Sequence, residues 1–150
     1  MNKLKTLVAF LLIGTAVSAQ TNFSGTWKLK GKEYINGPKY SNALAEELMV
    51  KQTKDSITVG KTSVAMNGKG TTIMNKEQNR QSVKSVNWSA DKKTATFTTV
   101  IYAPGSSSEV ELTRVDSWIL SADGKEMTVN RKSIEKKSES WEVKGTYEKQ

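Results

Sequence analysis

The chain reads as an all-β protein, an eight-stranded antiparallel up-and-down β-barrel preceded by a cleavable signal peptide. Three observations predict it. From Gln20 onward apolar and polar residues alternate with a period of two, and Thr, Val, Ile and aromatics are enriched, the pattern of strands with one wet face. No stretch keeps a helical period for three turns. All connections between candidate strands are short enough to be local, and a closed cylinder removes the unpaired edges that such a meander would otherwise expose.

The leader comes first. "MNKLK" is basic, and "TLVAFLLIGTAV" is apolar but too short to span a bilayer. Small residues in "VSA" place cleavage between Ala19 and Gln20. Residues 1–19 are thus read as a signal peptide and residues 20–150 as one barrel domain, periplasmic or secreted, with no integral membrane segment after cleavage. Cys is absent, so neither lipid attachment at a cysteine nor a disulfide is available.

Eight strands follow in order: Phe23 to Ile35, Leu48 to Thr53, Ile57 to Met66, Gln81 to Trp88, Thr94 to Tyr102, Val110 to Leu120, Met127 to Ile134, and Trp141 to Tyr147. A further short piece near 71–76 is weaker. "SNALAEEL" (41–48) has capping and helix-favouring residues and predicts one or two helical turns within a lid-like loop. The segment "WSADKKTATF" recurs as "WILSADGKEMTV", and both mark tight turns in which Asp caps backbone N–H groups. Alternate connections then collect the tight turns at one end of the barrel. The long ones, "NGPKYSNALAEE", "NGKGTTIMNKEQNR", "APGSSSE" and "EKKSES", collect at the other.

Alternation also assigns faces. Trp27, Leu29, Glu33 and Ile35 are read as inward and Lys28, Lys30 and Lys32 as outward. Gly25, Trp27, Trp88, Trp118 and Tyr147 form an apolar floor, with Gly25 letting the chain turn beneath Trp27. Higher up, the inward set turns charged: Glu33, Lys61, Arg114, Asp116, Arg131 and Glu135. Such groups either pair with one another or line a wet cup.

The chemistry narrows by exclusion. His is absent along with Cys, which removes the commonest general base, nucleophile and metal ligands. Glu33, Asp116 and Glu135 read better as partners for Arg114 and Arg131 than as catalysts, so no enzyme, cofactor or metal is expected. The net charge of +8 falls to +6 without Lys3 and Lys5. The lysines are dispersed and no nucleic-acid motif accompanies them.

"NFSGTWKL" resembles the N-terminal Gly-x-Trp signature of the lipocalins and related calycins, and the layout is similar to small exported lipocalin-like proteins of bacteria. The resemblance implies a ligand-binding calycin barrel with Gly25 and Trp27 at its closed end. The expected partner is a small amphipathic or anionic ligand, its tail on Trp27 and its head group at Arg114 and Arg131. Asp116, Glu33 and Lys61 would lie nearby, with Tyr102, Trp141 and the 36–46 loop at the rim. The alternative is a filled barrel that meets an envelope polymer or a protein through outward lysines, among them Lys28, Lys30, Lys32, Lys51, Lys84, Lys132 and Lys144.

Overall fold

The computed structural model describes residues 19–150. The leader, residues 1–18, and with it the signal-peptide reading lie outside the described residues. The described chain is all β. Its strands are β1 (Gly25–Asn36), β2 (Glu47–Gln52), β3 (Ser56–Val59), β4 (Thr62–Ala65), β5 (Thr71–Asn75), β6 (Arg80–Trp88), β7 (Thr94–Tyr102), β8 (Val110–Leu120), β9 (Glu126–Glu135) and β10 (Trp141–Lys149). They form one sheet in the order β4-β3-β2-β1-β10-β9-β8-β7-β6-β5. Every neighbouring pair is antiparallel. Each is a sequential hairpin except β1–β10, which brings the two ends of the domain together. The sheet curls into a nearly closed barrel whose edges, β4 and β5, are linked by a long hydrogen bond from the Ala65 N–H to Thr71 Oγ1.

The strand count is ten rather than eight. The expected third strand breaks at Gly60, whose φ of 59° turns the chain back, giving β3 and β4. The weak 71–76 segment pairs fully with β6 as β5. The long connection placed at the open end is therefore split, with 66–70 at the tight-turn end. The expected helix over 41–48 is not formed: the segment makes turns, and Glu47 and Leu48 are drawn into pairing with Lys28 and Trp27. Sheet partners outweigh an intrinsic preference spread over so few residues.

One bulge changes the faces of β1. Leu29 pairs with Tyr147 but Gly31 with Thr146, so Lys30 is an extra residue. Beyond it, alternation is reversed. Glu33 is exposed on the outside, and Ile35 is exposed as the unpaired residue of a second irregularity between Tyr34 and Asn36, whereas Lys32 comes opposite buried Gly145 and Tyr34 opposite buried Val143.

The tight-turn end holds the core. Trp27 is fully buried and its indole N–H donates to the Phe23 carbonyl at 2.9 Å. Phe23 lies against Trp88 and Trp118, with ring centroids 5.8 Å apart in each case. Gln52 ties this entering segment down: its side chain accepts from the Phe23 N–H and donates to the Thr21 carbonyl. Burying each of these large apolar side chains contributes about 1.5–3 kcal/mol. Phe23, read from sequence as the first residue of a strand, caps this end from below.

On the outside of β1, β9 and β10, four lysines come against glutamates. Lys28 faces Glu148 and Glu47, Lys144 faces Glu33, Lys132 faces Glu142, and Lys30 meets Glu126 at 2.9 Å. This lowers the net charge of the outer face around β1, β9 and β10.

Candidate functional site

Antiparallel register stacks the inward residues of β6 to β10 in tiers. The lowest holds Leu120, Met127 and Tyr147, and the next Trp118, Val129 and Gly145. Above them Asp116 and Arg131 stand between Phe97 and Val143, and above those come Lys84, Thr99, Arg114, Ser133 and Trp141. Glu135 tops the column opposite Leu112. The interior thus changes from apolar to ionic within one tier.

Arg131 is fully committed. Its Nε and Nη2 donate to the two carboxylate oxygens of Asp116 at 2.7 and 2.6 Å, and Nη1 donates to the Ala43 carbonyl at 2.7 Å. Burial disfavours its charge, but the hydrogen bonds and charge of Asp116 more than offset this, and its pKa is raised. Such a two-pronged charge-assisted pair is among the stronger polar contacts a protein makes.

Arg114 has no such partner. Among the described residues no carboxylate lies within ion-pair distance, and its buried Nε lacks a hydrogen bond. Its guanidinium sits 5.7 Å from the centre of the Trp141 ring, close enough for a cation–π contact, and Tyr40 meets the same ring edge-on at 5.6 Å. Burial pushes its pKa down, the Arg131 charge adds to this, and Asp116 and Glu135 oppose it. Glu135 accepts the Ser133 hydroxyl at 2.6 Å.

Lys84, an outward lysine by sequence, lies inside. It stands opposite Thr99, which stands opposite Arg114, so it belongs to the same interior tier. Burial lowers its pKa; Asp116 resists this, and Arg131 and Arg114 reinforce it. The parity that places Trp88 inside also places Val86 and Lys84 inside, so the signal was present in the strand. The interior column therefore carries Lys84, Arg114 and Arg131 against Asp116 and Glu135, one positive charge in excess.

A lid closes over this column. Residues 37–46 leave β1 at Gly37, where φ is 74° and an added Cβ would fall 2.3 Å from the Ser140 carbonyl oxygen. Four side chains of the barrel then donate to lid carbonyls. Tyr34 holds Tyr40 at 2.7 Å, Lys32 holds Ser41, Arg131 holds Ala43, and Tyr147 holds Ala45 at 2.8 Å. Leu44 is buried beneath the lid, in the space that Gly145 leaves open. Burial pushes the Tyr147 hydroxyl up to about 12.

Two cavities result. One of about 310 Å³ lies at the mouth, between the lid and Arg114, Glu135, Ser138 and Trp141. The other, about 60 Å³, lies deeper, where Lys84, Asp116 and Arg131 meet the apolar walls of Phe97 and Trp118.

Of the residues singled out from sequence, Arg114, Arg131, Asp116 and Trp141 come together here. Three do not join them. Glu33 is on the outer face because of the Lys30 bulge. Lys61 is exposed in the Gly60–Lys61 turn, not on an inward strand position. Tyr102 ends β7 beyond a register irregularity and lines neither cavity. Reading missed Lys84 as an interior group, and Tyr40, whose position depends on how the lid folds back.

Among the described residues, no cluster of His, Cys, Asp or Glu is arranged to hold a metal ion, and no helix is long and apolar enough to cross a membrane. No protein-family model, curated protein or solved structure matches the chain.

Proposed function

We propose that this is an exported, lipocalin-like binding protein whose ligand is a small organic anion held at the mouth of the barrel. The observation that carries the reading is Arg114: a half-buried guanidinium with an unpartnered Nε, one face on Trp141, on the wall of a cavity of about 310 Å³. Ligand sites of this kind combine an apolar wall with a few unspent polar groups. Arg131 is not one of those groups, since Asp116 and the lid occupy all its arms. The Trp27 floor is sealed by Phe23 and the side chains above it, so an apolar tail rests on Trp141 and Tyr40 instead. The ligand is accordingly compact, a carboxylate on a ring or short chain.

Titration of the purified chain with benzoate and with short-chain carboxylates, read by calorimetry, tests this. The expected result is saturable binding that Arg114→Met weakens at least about tenfold, the loss of a charge-assisted hydrogen bond. No uptake of any carboxylate by the folded protein, together with salt-sensitive retention on an acidic polymer, would favour the outer lysines as the working surface.

A further inference from the structure

We propose that the deep cavity beside Lys84 is a binding site for a single weakly hydrated monovalent anion, of the halide class. It is separate from the mouth cavity, and its case does not depend on the organic ligand.

Three observations meet there. The first is charge. Both oxygens of Asp116 are taken by Arg131, so these two neutralise each other, and among the described residues no hydrogen bond or ion pair engages the Lys84 ammonium. A charged amine held in a barrel interior without a partner is costly. An anion beside it supplies the missing counter-charge.

The second is an unspent donor. Trp118 is 4% exposed, and its indole N–H is buried with no acceptor. Indole nitrogen only donates, and a buried donor left unmade costs its full desolvation. Trp118 and Lys84 belong to the wall of the same cavity. Thr62, also on that wall, brings a hydroxyl that can turn to donate.

The third is size and lining. About 60 Å³ admits roughly two water-sized particles. That excludes a tetrahedral oxyanion with its hydration and leaves a single ion with one water. Val64, Phe97 and the Trp118 ring replace part of the hydration shell with polarisable apolar surface, which a large, weakly hydrated ion tolerates and fluoride does not. Water is the competing occupant. It would satisfy the indole N–H but leave the Lys84 charge uncompensated.

The experiment titrates sodium bromide into the purified chain at constant ionic strength set with sodium fluoride, reading tryptophan fluorescence and melting temperature. Expected are saturable quenching and a melting temperature above that in fluoride alone. Lys84→Met should weaken bromide about tenfold or more, and Trp118→Phe, which keeps a ring but removes the donor, about three- to fivefold. Should either variant fail to fold, the other carries the comparison. Anomalous diffraction at the bromine edge from wild-type crystals locates the ion independently, and a peak between Lys84 and Trp118 is expected. Linear, unsaturable quenching that matches in wild type and variants means water alone fills the cavity, and it overturns the proposal. So does a bromide peak at the mouth beside Arg114.

Discussion

Leu44 sits where Gly145 has no side chain: a Cβ added at Gly145 would fall 2.4 Å from Leu44 Cδ1 and 3.1 Å from Leu29 Cδ1. The lid and the sheet therefore fit only because β10 carries a glycine opposite Lys32 and Val129. Gly145→Ala should cost about 1–3 kcal/mol by overpacking. Leu44→Ala alone should cost about 2–5 kcal/mol as a cavity. The double variant should cost less than the two added together, because the methyl group fills space that the leucine vacates. Urea unfolding of the four proteins gives the coupling, and strict additivity would mean that Leu44 does not occupy this seat in solution.

Arg131 and Arg114 stand one tier apart on the same inner surface, yet they predict opposite results. Arg131→Met leaves the Asp116 carboxylate, 13% exposed, without a partner and unlatches Ala43. Breaking a buried pair in this way costs about 3–5 kcal/mol. Arg114→Met removes a cation that has no carboxylate, so its cost should lie within about 1 kcal/mol of zero. Equal destabilisation in denaturant melts would contradict this division between a structural arginine and a free one.

Period-two alternation carries most of this barrel because a sheet with one dry face must repeat every second residue. It placed Trp27, Trp118, Asp116, Arg131 and Arg114 on one side without any structural input. It lost Glu33 because a bulge adds a residue without leaving a mark in hydropathy: "KLKGKE" alternates whether or not Lys30 is paired. Lys84 escapes it because residue type argues for the outside, against the parity of Val86 and Trp88 in the same strand. The lid was beyond its reach. Residues 37–46 are fixed by side chains from β1, β9 and β10 reaching their carbonyls, and carbonyl positions carry no residue code.

Tyr147 makes the lid sensitive to alkali. Its hydroxyl donates to the Ala45 carbonyl at 2.8 Å, and burial raises its pKa from 10.0 to about 12. The folded state therefore holds this proton more tightly than the unfolded state. The resulting stabilisation is complete below pH 10 and is lost as pH rises from 10 to about 12. Across that window the protein should lose roughly 2–3 kcal/mol. Tyr147→Phe should start less stable, by about 1 kcal/mol for the hydrogen bond, and should lack this part of the alkaline decline. Parallel alkaline melting curves for the two proteins would remove Tyr147 from the account.

The twin turns offer an internal control for backbone strain. In the first, the Ser89 hydroxyl and the Lys93 N–H both donate to Asp91 Oδ1, at 2.6 and 3.1 Å. In the second, the Ser121 hydroxyl and the Lys125 N–H reach Asp123 Oδ1 at the same distances. The two turns share their backbone hydrogen bonds as well, and the residue between Asp and Lys is left-handed in both: Lys92 with φ 56° in the first, Gly124 with φ 70° in the second. A side chain in that region is strained by contact with its own backbone, at about 1–2 kcal/mol, and the extra freedom glycine has when unfolded returns part of this. Lys92→Gly should therefore raise the melting temperature by about 2–5 °C. Gly124→Ala, where space is open but φ is not, should lower it by a similar amount. Calorimetry on the pair checks the sign. If Lys92→Gly melts lower than the parent, the hydrogen bonds common to both turns, rather than the backbone angle, set their stability.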